Sequence, residues 1–203
     1  MNLNNFTFNT TSGIRFGSGM SVSSSEEICK ILGSNILFIT DKDLMSLKLT
    51  EPTLNELKKF SSKVEIFEDV EADPSLKTLL NSIEIGKKMN ATGVIGFGGG
   101  SSMDVAKLTS LILGSDENIE EVWGVSNAKG PRLPLVLVPT TAGTGSEVTP
   151  ISIITVGEEE KKGVSSPIIL PDVAILDPDL TIGLPAHTTA ATGIDAMVHA
   201  IEG

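Results

Sequence analysis

Apolar residues recur along the chain in short runs, and between these runs they recur at the three- and four-residue spacing of helices. The short runs have the length of buried strands and cover residues 36–39, 64–67, 93–95 and 134–138. The helical spacing covers residues 23–32, 44–60, 73–89 and 103–113. Strands and helices that alternate in this way predict an α/β fold, in which helices cover both faces of a parallel sheet.

Glycine and proline residues predict where several of these helices begin and end. Gly33 is expected to end the first helix, and Pro52 to break the second segment into two short helices. Asp73 has the position of a cap for the third segment, with Pro74 at the first helical position.

The two ends of the chain depart from this alternation. Residues 6–16 are expected to form short strands around a turn at residues 11–13. After residue 149, two runs at residues 151–155 and 173–176 are predicted to be strands that flank a charged stretch at 158–162. A last helix is expected to begin near Thr188 or Thr189 and to run to the end of the chain.

The segment GFGGGSSMDVAK, residues 96–107, has the composition of an anion-binding turn between a strand and a helix. Its glycines allow the backbone to pass close to a ligand, and the free N–H groups at the start of the helix point at that ligand. Ser101 or Ser102 is the predicted cap of this helix, and Asp104 is expected in its first turn. The segment is not the standard dinucleotide fingerprint, because Ser101 stands where the third glycine belongs. A tight turn without a ligand is the alternative.

Polar residues follow three of the predicted strands, at the edge where α/β sheets bind ligands. Asp41 ends the strand 36–39, and its carboxylate suits either the hydroxyls of a ribose or the cap of the next helical turn. The glycine segment follows the predicted strand 93–95. The segment PTTAGTGSE follows the strand 134–138 and carries four hydroxyls on Thr140, Thr141, Thr144 and Ser146. These hydroxyls suit a nucleotide, although a polar turn without a ligand would look similar.

Asp195 and His199 are four residues apart in the last predicted helix, so both project from one face. A carboxylate and an imidazole there can bind a divalent metal or can form an ordinary intrahelical pair. Two ligands do not complete a site, because catalytic metals usually have three or more protein ligands. His187, the other histidine, lies eight residues before Asp195, about 12 Å along a helix.

Composition narrows the classes of partner. The net charge of −11 argues against nucleic acid and anionic membranes. A single cysteine excludes an intramolecular disulfide and fits a reducing compartment. The N-terminus has no signal-peptide pattern, and no run of residues approaches the 18 apolar residues of a membrane span. A cytoplasmic protein is therefore expected.

Taken together, these segments resemble the iron-containing (group III) alcohol dehydrogenase family over nearly the whole chain. The resemblance rests on the order and spacing of GIRFGSGM, the strand that ends in Asp41, GFGGGSSMDVAK, LPLVLVPTTAGTGSEVT, LPDVAILDPDLTIGLP and ATGIDAMVHAIEG. It implies a Rossmann-like, dehydroquinate synthase-like α/β domain over residues 1–185. Residues 186–203 would then be the first helix of an all-helical domain.

The same resemblance implies a cofactor, a metal and a small alcohol or aldehyde substrate. By position, Gly98, Gly99, Gly100 and Ser101 would hold the pyrophosphate of NAD, with Asp104 supporting the loop. Asp41 matches the ribose position and favours NAD over NADP. Thr140, Thr141 and Thr144 would line the cofactor cleft, and Lys162 and Leu180 would lie near the nicotinamide half. Asp195 and His199 match two ligands of the metal, Fe²⁺ or Zn²⁺.

The chain departs from the family pattern at its end, because the family supplies two further histidine ligands from helices beyond residue 203. The chain is therefore expected to be a fragment or a truncated product with little or no activity by itself. No residue is identified as the general base, and His187 is better explained as a surface residue at a helix start. A homodimer is expected from the resemblance alone. The alternatives are a related polyol dehydrogenase of the glycerol type and a nucleotide-binding module without catalysis.

Overall fold

The computed structural model describes residues 7–158 and 160–202 of the chain. The strands are β1 (Gly13–Phe16), β2 (Asn35–Ile39), β3 (Lys63–Phe67), β4 (Gly93–Gly98), β5 (Gly124–Val125), β6 (Leu135–Pro139), β7 (Ile151–Val156), β8 (Glu160–Ser165) and β9 (Val173–Leu176). The helices are α1 (Met20–Ser23), α2 (Ser25–Leu32), α3 (Lys42–Ser46), α4 (Glu51–Phe60), α5 (Leu76–Met89), α6 (Gly100–Ser115), α7 (Ile119–Val122), α8 (Asp179–Ile182) and α9 (Ala186–Glu202).

The described strands form two sheets. The larger is parallel throughout, with six strands in the order β1-β9-β6-β4-β2-β3. The smaller has three strands in the order β5-β8-β7, of which β7 and β8 are antiparallel. Helices connect β1 to β2, β2 to β3, β3 to β4 and β4 to β6, whereas β7 and β8 lie between β6 and β9. These long connections are what parallel pairs need. The α/β fold predicted from the alternating pattern is confirmed.

Each face of the large sheet is covered by its own hydrophobic layer. Along β2, Leu37 and Ile39 face the layer that contains α5 and α6, while Ile36 and Phe38 face the layer that contains α2 and α4. Successive side chains of a strand point to opposite faces, so one apolar run serves both layers. Phe38 stacks on Phe97 of β4, with ring centroids 5.4 Å apart. The prediction of helices on both faces is therefore also confirmed.

Two predicted helix caps are wrong by a few residues. Asp73 has a left-handed backbone with φ 54°, and α5 begins later, capped by the Ser75 hydroxyl that accepts a hydrogen bond from Thr78 N–H. Helix α6 begins at Gly100 with Gly99 as its N-cap, so both candidate serines lie inside its first turn. The backbone geometry of each turn therefore overrode the simple preference of serine and aspartate for caps.

The two ends of the chain also differ from expectation. Of the predicted N-terminal strands, residues 13–16 form β1, which pairs with β9, while residue 6 lies outside the described residues. Much of the charged stretch expected between two strands belongs to β8 and pairs with β7 from Ser165 to Glu160. Helix α9 begins at Ala186, two residues before the predicted start. Within residues 7–158 and 160–202, no helix has both the length and the apolar character that crossing a membrane requires.

Candidate functional site

The polar segments predicted to share one edge of the sheet do meet there. Strands β2, β4 and β6 are neighbours, and their carboxyl ends lead into Asp41, the glycine turn and Thr140, respectively. Thr140 N–H donates to the carbonyl of Gly98 at 3.0 Å. A Cβ placed on Gly98 would lie 3.4 Å from Asp41 Oδ2, so the first two segments approach each other at that point. The predicted common edge is confirmed.

The glycine turn passes so close to neighbouring side chains that a Cβ atom would not fit at Gly98 and would be tight at Gly100. Gly98 has a φ of 154°, and a Cβ there would lie 2.6 Å from Ser102 Oγ. A Cβ on Gly100 would lie 3.1 Å from Thr144 Cγ2. No side chain of the described residues caps α6 by a hydrogen bond at its Gly99 N-cap. The first N–H groups of a sixteen-residue helix therefore face the turn with their hydrogen bonds available.

A first cavity of about 600 Å³ opens at this edge. Its lining includes most of the predicted cofactor residues and the segment that leads into α9. The residues that bear on the site are Asp41, Gly99, Gly100, Ser101, Thr140, Thr141, Leu184 and His187. Thr141 Oγ1 is buried and has no hydrogen-bond partner among the described residues. A buried hydroxyl without a partner costs free energy, so its position in this cavity fits a polar ligand.

Asp41 caps α3 with one carboxylate oxygen and directs the other toward the glycine turn. Its Oδ1 accepts a hydrogen bond from Leu44 N–H at 2.9 Å, which caps α3. Its Oδ2 lies on the side of the glycine turn. Burial raises the pKa of this carboxyl, while the backbone N–H groups of the cap oppose the shift. The cap prediction is confirmed, and the second oxygen faces the region that a ligand would occupy.

A buried charged pair lies beneath the glycine turn, in α6. Lys107 has no exposed surface, and its Nζ donates to Ser146 Oγ at 2.8 Å and to the Ile151 carbonyl at 2.7 Å. Asp104 Oδ1 lies 3.8 Å from that Nζ and accepts from Ser146 Oγ at 2.8 Å. Burial lowers the pKa of Lys107 to about 8, against the attraction of Asp104 and Glu147. Burial also raises the pKa of Asp104, which its ionic and hydrogen-bonding partners oppose.

A second cavity of about 1150 Å³ lies between the small sheet and α9. Asp195 and His199 both line it, and His199 Nε2 lies 3.9 Å from Asp195 Oδ1. The shared helix face predicted from their spacing is therefore present. In the described part of the chain, no group of three or more histidine, cysteine, aspartate or glutamate residues is arranged to hold a metal ion. Gly100 and Ser101 line both cavities, so the two meet at the start of α6.

Comparison with known proteins agrees with this architecture. The family model for iron-containing alcohol dehydrogenases matches residues 11–178. The chain belongs to the iron-containing alcohol dehydrogenase family. The sulfoacetaldehyde reductase of Bilophila wadsworthia is 35% identical over 198 residues, which cover 97% of this chain and 51% of that protein.

Solved structures show the same relationship. A 1,3-propanediol oxidoreductase superposes with a TM-score of 0.92 at 33% identity, covering 98% of this chain and 52% of that one. The sulfoacetaldehyde reductase of Bifidobacterium kashiwanohense, solved in complex with NAD⁺, superposes with a TM-score of 0.87 at 32% identity, covering 98% and 53%. The chain therefore spans about half the length of these members of the iron-containing alcohol dehydrogenase family, and the family resemblance is confirmed.

Two residues assigned by family resemblance lie away from the cavities. Lys162 Nζ lies 3.8 Å from Glu120 Oε2, and it is Lys161, its neighbour in β8, that lines the second cavity. Leu180 is 6% exposed and packs in the hydrophobic layer with α2 and α4. Within the described residues neither Lys162 nor Leu180 lines either cavity. Their assignment to the nicotinamide half stays a prediction, and the geometry favours Lys161 over Lys162.

Sequence reasoning missed Lys107 and Lys161 in this member of the iron-containing alcohol dehydrogenase family. Lys107 is the last residue of the glycine segment 96–107. Its position among the apolar residues of α6 was a signal of burial. Lys161 could have been identified only by recognising β8, since alternation along a strand places adjacent lysines on opposite faces. The strand was hidden because charged residues occupy much of it.

Proposed function

We propose that the full-length protein is an NAD(H)-dependent, divalent-metal-dependent alcohol dehydrogenase or aldehyde reductase, and that this chain is its cofactor-binding part. The observation that carries the proposal is the first cavity. There the start of α6 and the Thr141 hydroxyl meet at the carboxyl edge of a parallel sheet, and within residues 7–158 and 160–202 no side chain caps the helix or bonds this hydroxyl. This combination supports a dinucleotide, since it offers N–H donors and a hydroxyl that a ligand can bind.

The residues of the first cavity divide into a phosphate part and a ribose part. The N–H groups at Gly99, Gly100 and Ser101 would hold the pyrophosphate, because the helix start favours negative charge. The Oδ2 of Asp41 would accept hydrogen bonds from the ribose hydroxyls and repel a 2′-phosphate. The junction at Gly100 and Ser101 lets the nicotinamide half extend into the second cavity, beside Thr144 and Lys161.

Asp195 and His199 would contribute two ligands to a divalent metal, Fe²⁺ or Zn²⁺. Their oxygen and nitrogen donors fit such an ion, and they face the cavity that the nicotinamide half would enter. The metal would supply Lewis-acid polarisation of the substrate oxygen, and NAD would accept or return the hydride. The other metal ligands and the residues that line the substrate pocket would come from another region of the full-length protein. That region would correspond to the half of the relatives that this chain does not span. Little or no turnover by the chain alone is expected.

Two alternatives remain for the same site. A glycerol-type polyol dehydrogenase would use the same cofactor cleft, and it differs in the substrate pocket. A nucleotide-binding module without catalysis would bind NAD but would show no turnover when a divalent metal is added. A homodimer, expected from the resemblance, also stays a prediction that sedimentation of the full-length protein would test.

Calorimetric titration with NAD and NADP tests the cofactor assignment through Asp41. Asp41→Asn preserves the cap of α3, because asparagine caps helices as well as aspartate, but it removes the charge. We expect the unmodified chain to bind NAD more tightly than NADP, and Asp41→Asn to reduce this preference by about tenfold or more. Asp41→Ala is the matched control, because it loses both the cap and the charge.

The cofactor, ribose and metal assignments can each fail separately. Binding of neither dinucleotide by the folded chain would contradict the proposal. An unchanged NAD preference in Asp41→Asn would contradict the ribose role alone. His199→Ala should leave NAD binding intact and weaken Zn²⁺ binding to the chain, while an unchanged Zn²⁺ affinity would contradict the metal assignment.

A further inference from the structure

Lys107 is buried in the middle of α6, where a positive charge is costly unless it is paired and hydrogen-bonded. Its ammonium group donates hydrogen bonds to Ser146 and Ile151, and the Asp104 carboxylate lies 3.8 Å away as an ionic partner. Ser146 and Ile151 both belong to the part of the chain that follows β6 and continues into β7. The buried charge therefore connects the glycine-turn helix to a part of the chain about forty residues later.

Asp104 extends the same connection along β7. Its Oδ2 accepts from Ile153 N–H at 2.9 Å, and its backbone carbonyl accepts from Ser152 Oγ at 2.9 Å. Asp104 and Lys107, one turn apart in α6, thus hold three consecutive residues of β7 together with Ser146. Hydrogen bonds to charged groups are stronger than neutral ones, especially where water is excluded.

Ser146 belongs to the hydroxyl loop, residues 140–149, while the other three residues held in this way begin β7. The hydroxyl loop lies between β6 and β7. Apart from a short 3₁₀ turn at Ser146–Val148, it has no regular structure of its own among the described residues. Ser146 N–H donates to Thr144 Oγ1 at 3.2 Å, and Thr144 in turn stands over Gly100 at the start of α6. A continuous path of contacts therefore runs from Lys107 through Ser146 to Thr144, at the wall of the second cavity.

Lys107 itself lines neither cavity within the described residues, so it does not face the region that a ligand would occupy. We propose that Lys107 is a positioning residue, which fastens the hydroxyl loop to α6 through Ser146 and thereby keeps the cofactor cleft formed before the cofactor arrives. The inference rests on the proposed NAD site. A loop that is already ordered does not lose its conformational freedom on binding, and this preserves affinity.

The test compares Lys107→Met with Lys88→Met, the same substitution at an exposed lysine of α5 that pairs with Glu84. Hydrogen–deuterium exchange of the 203-residue chain is measured with and without NAD, and NAD affinity is measured by calorimetry. In Lys107→Met we expect faster exchange confined to residues 140–153, recovery of protection there when NAD is added, and an NAD dissociation constant raised about tenfold. Lys88→Met should behave as the unmodified chain does.

A purely structural role predicts a different result. It would accelerate exchange throughout the large sheet and lower the melting temperature, but leave the NAD affinity of the folded molecules unchanged. That result would overturn the positioning role. Unchanged exchange in residues 140–153 together with unchanged NAD affinity would also overturn it.

Ser146→Ala keeps the test decisive if Lys107→Met does not fold. This variant breaks the path at its middle but leaves Lys107 paired with Asp104 and Ile151, so we expect a smaller change in the same direction. Unchanged loop exchange in Ser146→Ala would then contradict the proposal. If the unmodified chain binds no NAD, the proposed function fails, whereas the exchange of the ligand-free variants still decides whether Lys107 fastens the loop.

Discussion

Strand β4 and helix α9 contain similar apolar residues but have opposite environments. Every residue of β4 is buried, and Ile95 has no exposed surface. Across residues 186–202, which the structure describes in full, no residue is buried, and Ile194 is 62% exposed. An apolar pattern is therefore sufficient to predict a helix or strand but not its burial, because burial depends on which other elements pack against it.

Helix α9 contacts the hydroxyl loop, but none of its residues 186–202 is buried. A Cβ on Gly143 of the hydroxyl loop would lie 2.5 Å from the carbonyl oxygen of Thr192, so the helix comes very close to this loop. The exposed apolar residues of α9 include Ile194, Met197 and Ile201. The relatives are about twice as long as this chain. Experiments that treat β4 and α9 in the same way can test the contrast between the two elements.

The largest difference is expected in native-state hydrogen exchange. Amides of β4 should exchange only through global unfolding, whereas amides of α9 should open locally at almost no cost. The two sets should differ in opening free energy by about 5 kcal/mol or more, the stability of an ordinary domain. Strong protection of α9 in the monomeric chain would contradict this expectation and would show that the helix packs firmly against the rest of the chain.

Matched isoleucine substitutions should separate the two regions by stability. Ile95→Ala should lower the free energy of unfolding by about 2–5 kcal/mol, because it leaves a cavity in a closely packed layer. Ile194→Ala should change it by less than about 0.5 kcal/mol. Chemical denaturation measures both, and a cost above this limit at Ile194 would show that α9 is buried by self-association.

Matched glycine substitutions should give a smaller contrast. A Cβ on Gly96 would lie 2.7 Å from Ala106 Cβ and 2.8 Å from Leu137 Cδ2, so Gly96→Ala should cost about 1–3 kcal/mol by overpacking. Gly143→Ala should displace α9 with little effect on the melting transition, since that helix is weakly held. If both variants lost equal stability in thermal melts, α9 would be an integral part of the core.

The smallest effect concerns pH and Lys107. Its pKa in the folded chain is about 8, below the ordinary value of 10.5, so between these values the unfolded chain binds more protons. The free energy of unfolding should therefore rise as pH increases above 8, by at most about 1.4 kcal/mol per pH unit. Lys107→Met should remove this rise, as measured by denaturation at pH 8 and pH 9.

A second titrating group, the Cys29 thiol, limits the pH window of that experiment. Burial raises the pKa of the Cys29 thiol from its ordinary value of 9.0, which lowers stability as pH rises beyond that value. The Cys29 contribution is the same in both proteins, so the difference between them isolates Lys107. An identical pH dependence in Lys107→Met would show that the ammonium is not held in the charged, buried state described above.

Much of the candidate site could be predicted from local patterns. Asp41, the glycine turn and Thr140 each follow an apolar run, and parallel strands bring such positions to one edge. The positions of Lys162 and Leu180 could not be predicted in this way. Lys162 depends on the register of β8 against β7, and Leu180 depends on which hydrophobic layer accepts it. Both are decided by neighbours that are distant in sequence.

Four features follow from the local sequence: the alternation of strands and helices, the α/β class, the glycine-rich turn after β4, and the helical spacing of Asp195 and His199. These are local properties, set by side-chain periodicity and by the conformational freedom of glycine. Three other features are apparent only in the tertiary structure. Ser75 caps α5, Lys161 rather than Lys162 lines the second cavity, and Lys107 binds the hydroxyl loop through Ser146. Each of these depends on contacts between segments that only the packed fold brings together, where burial and hydrogen bonding outweigh local preference.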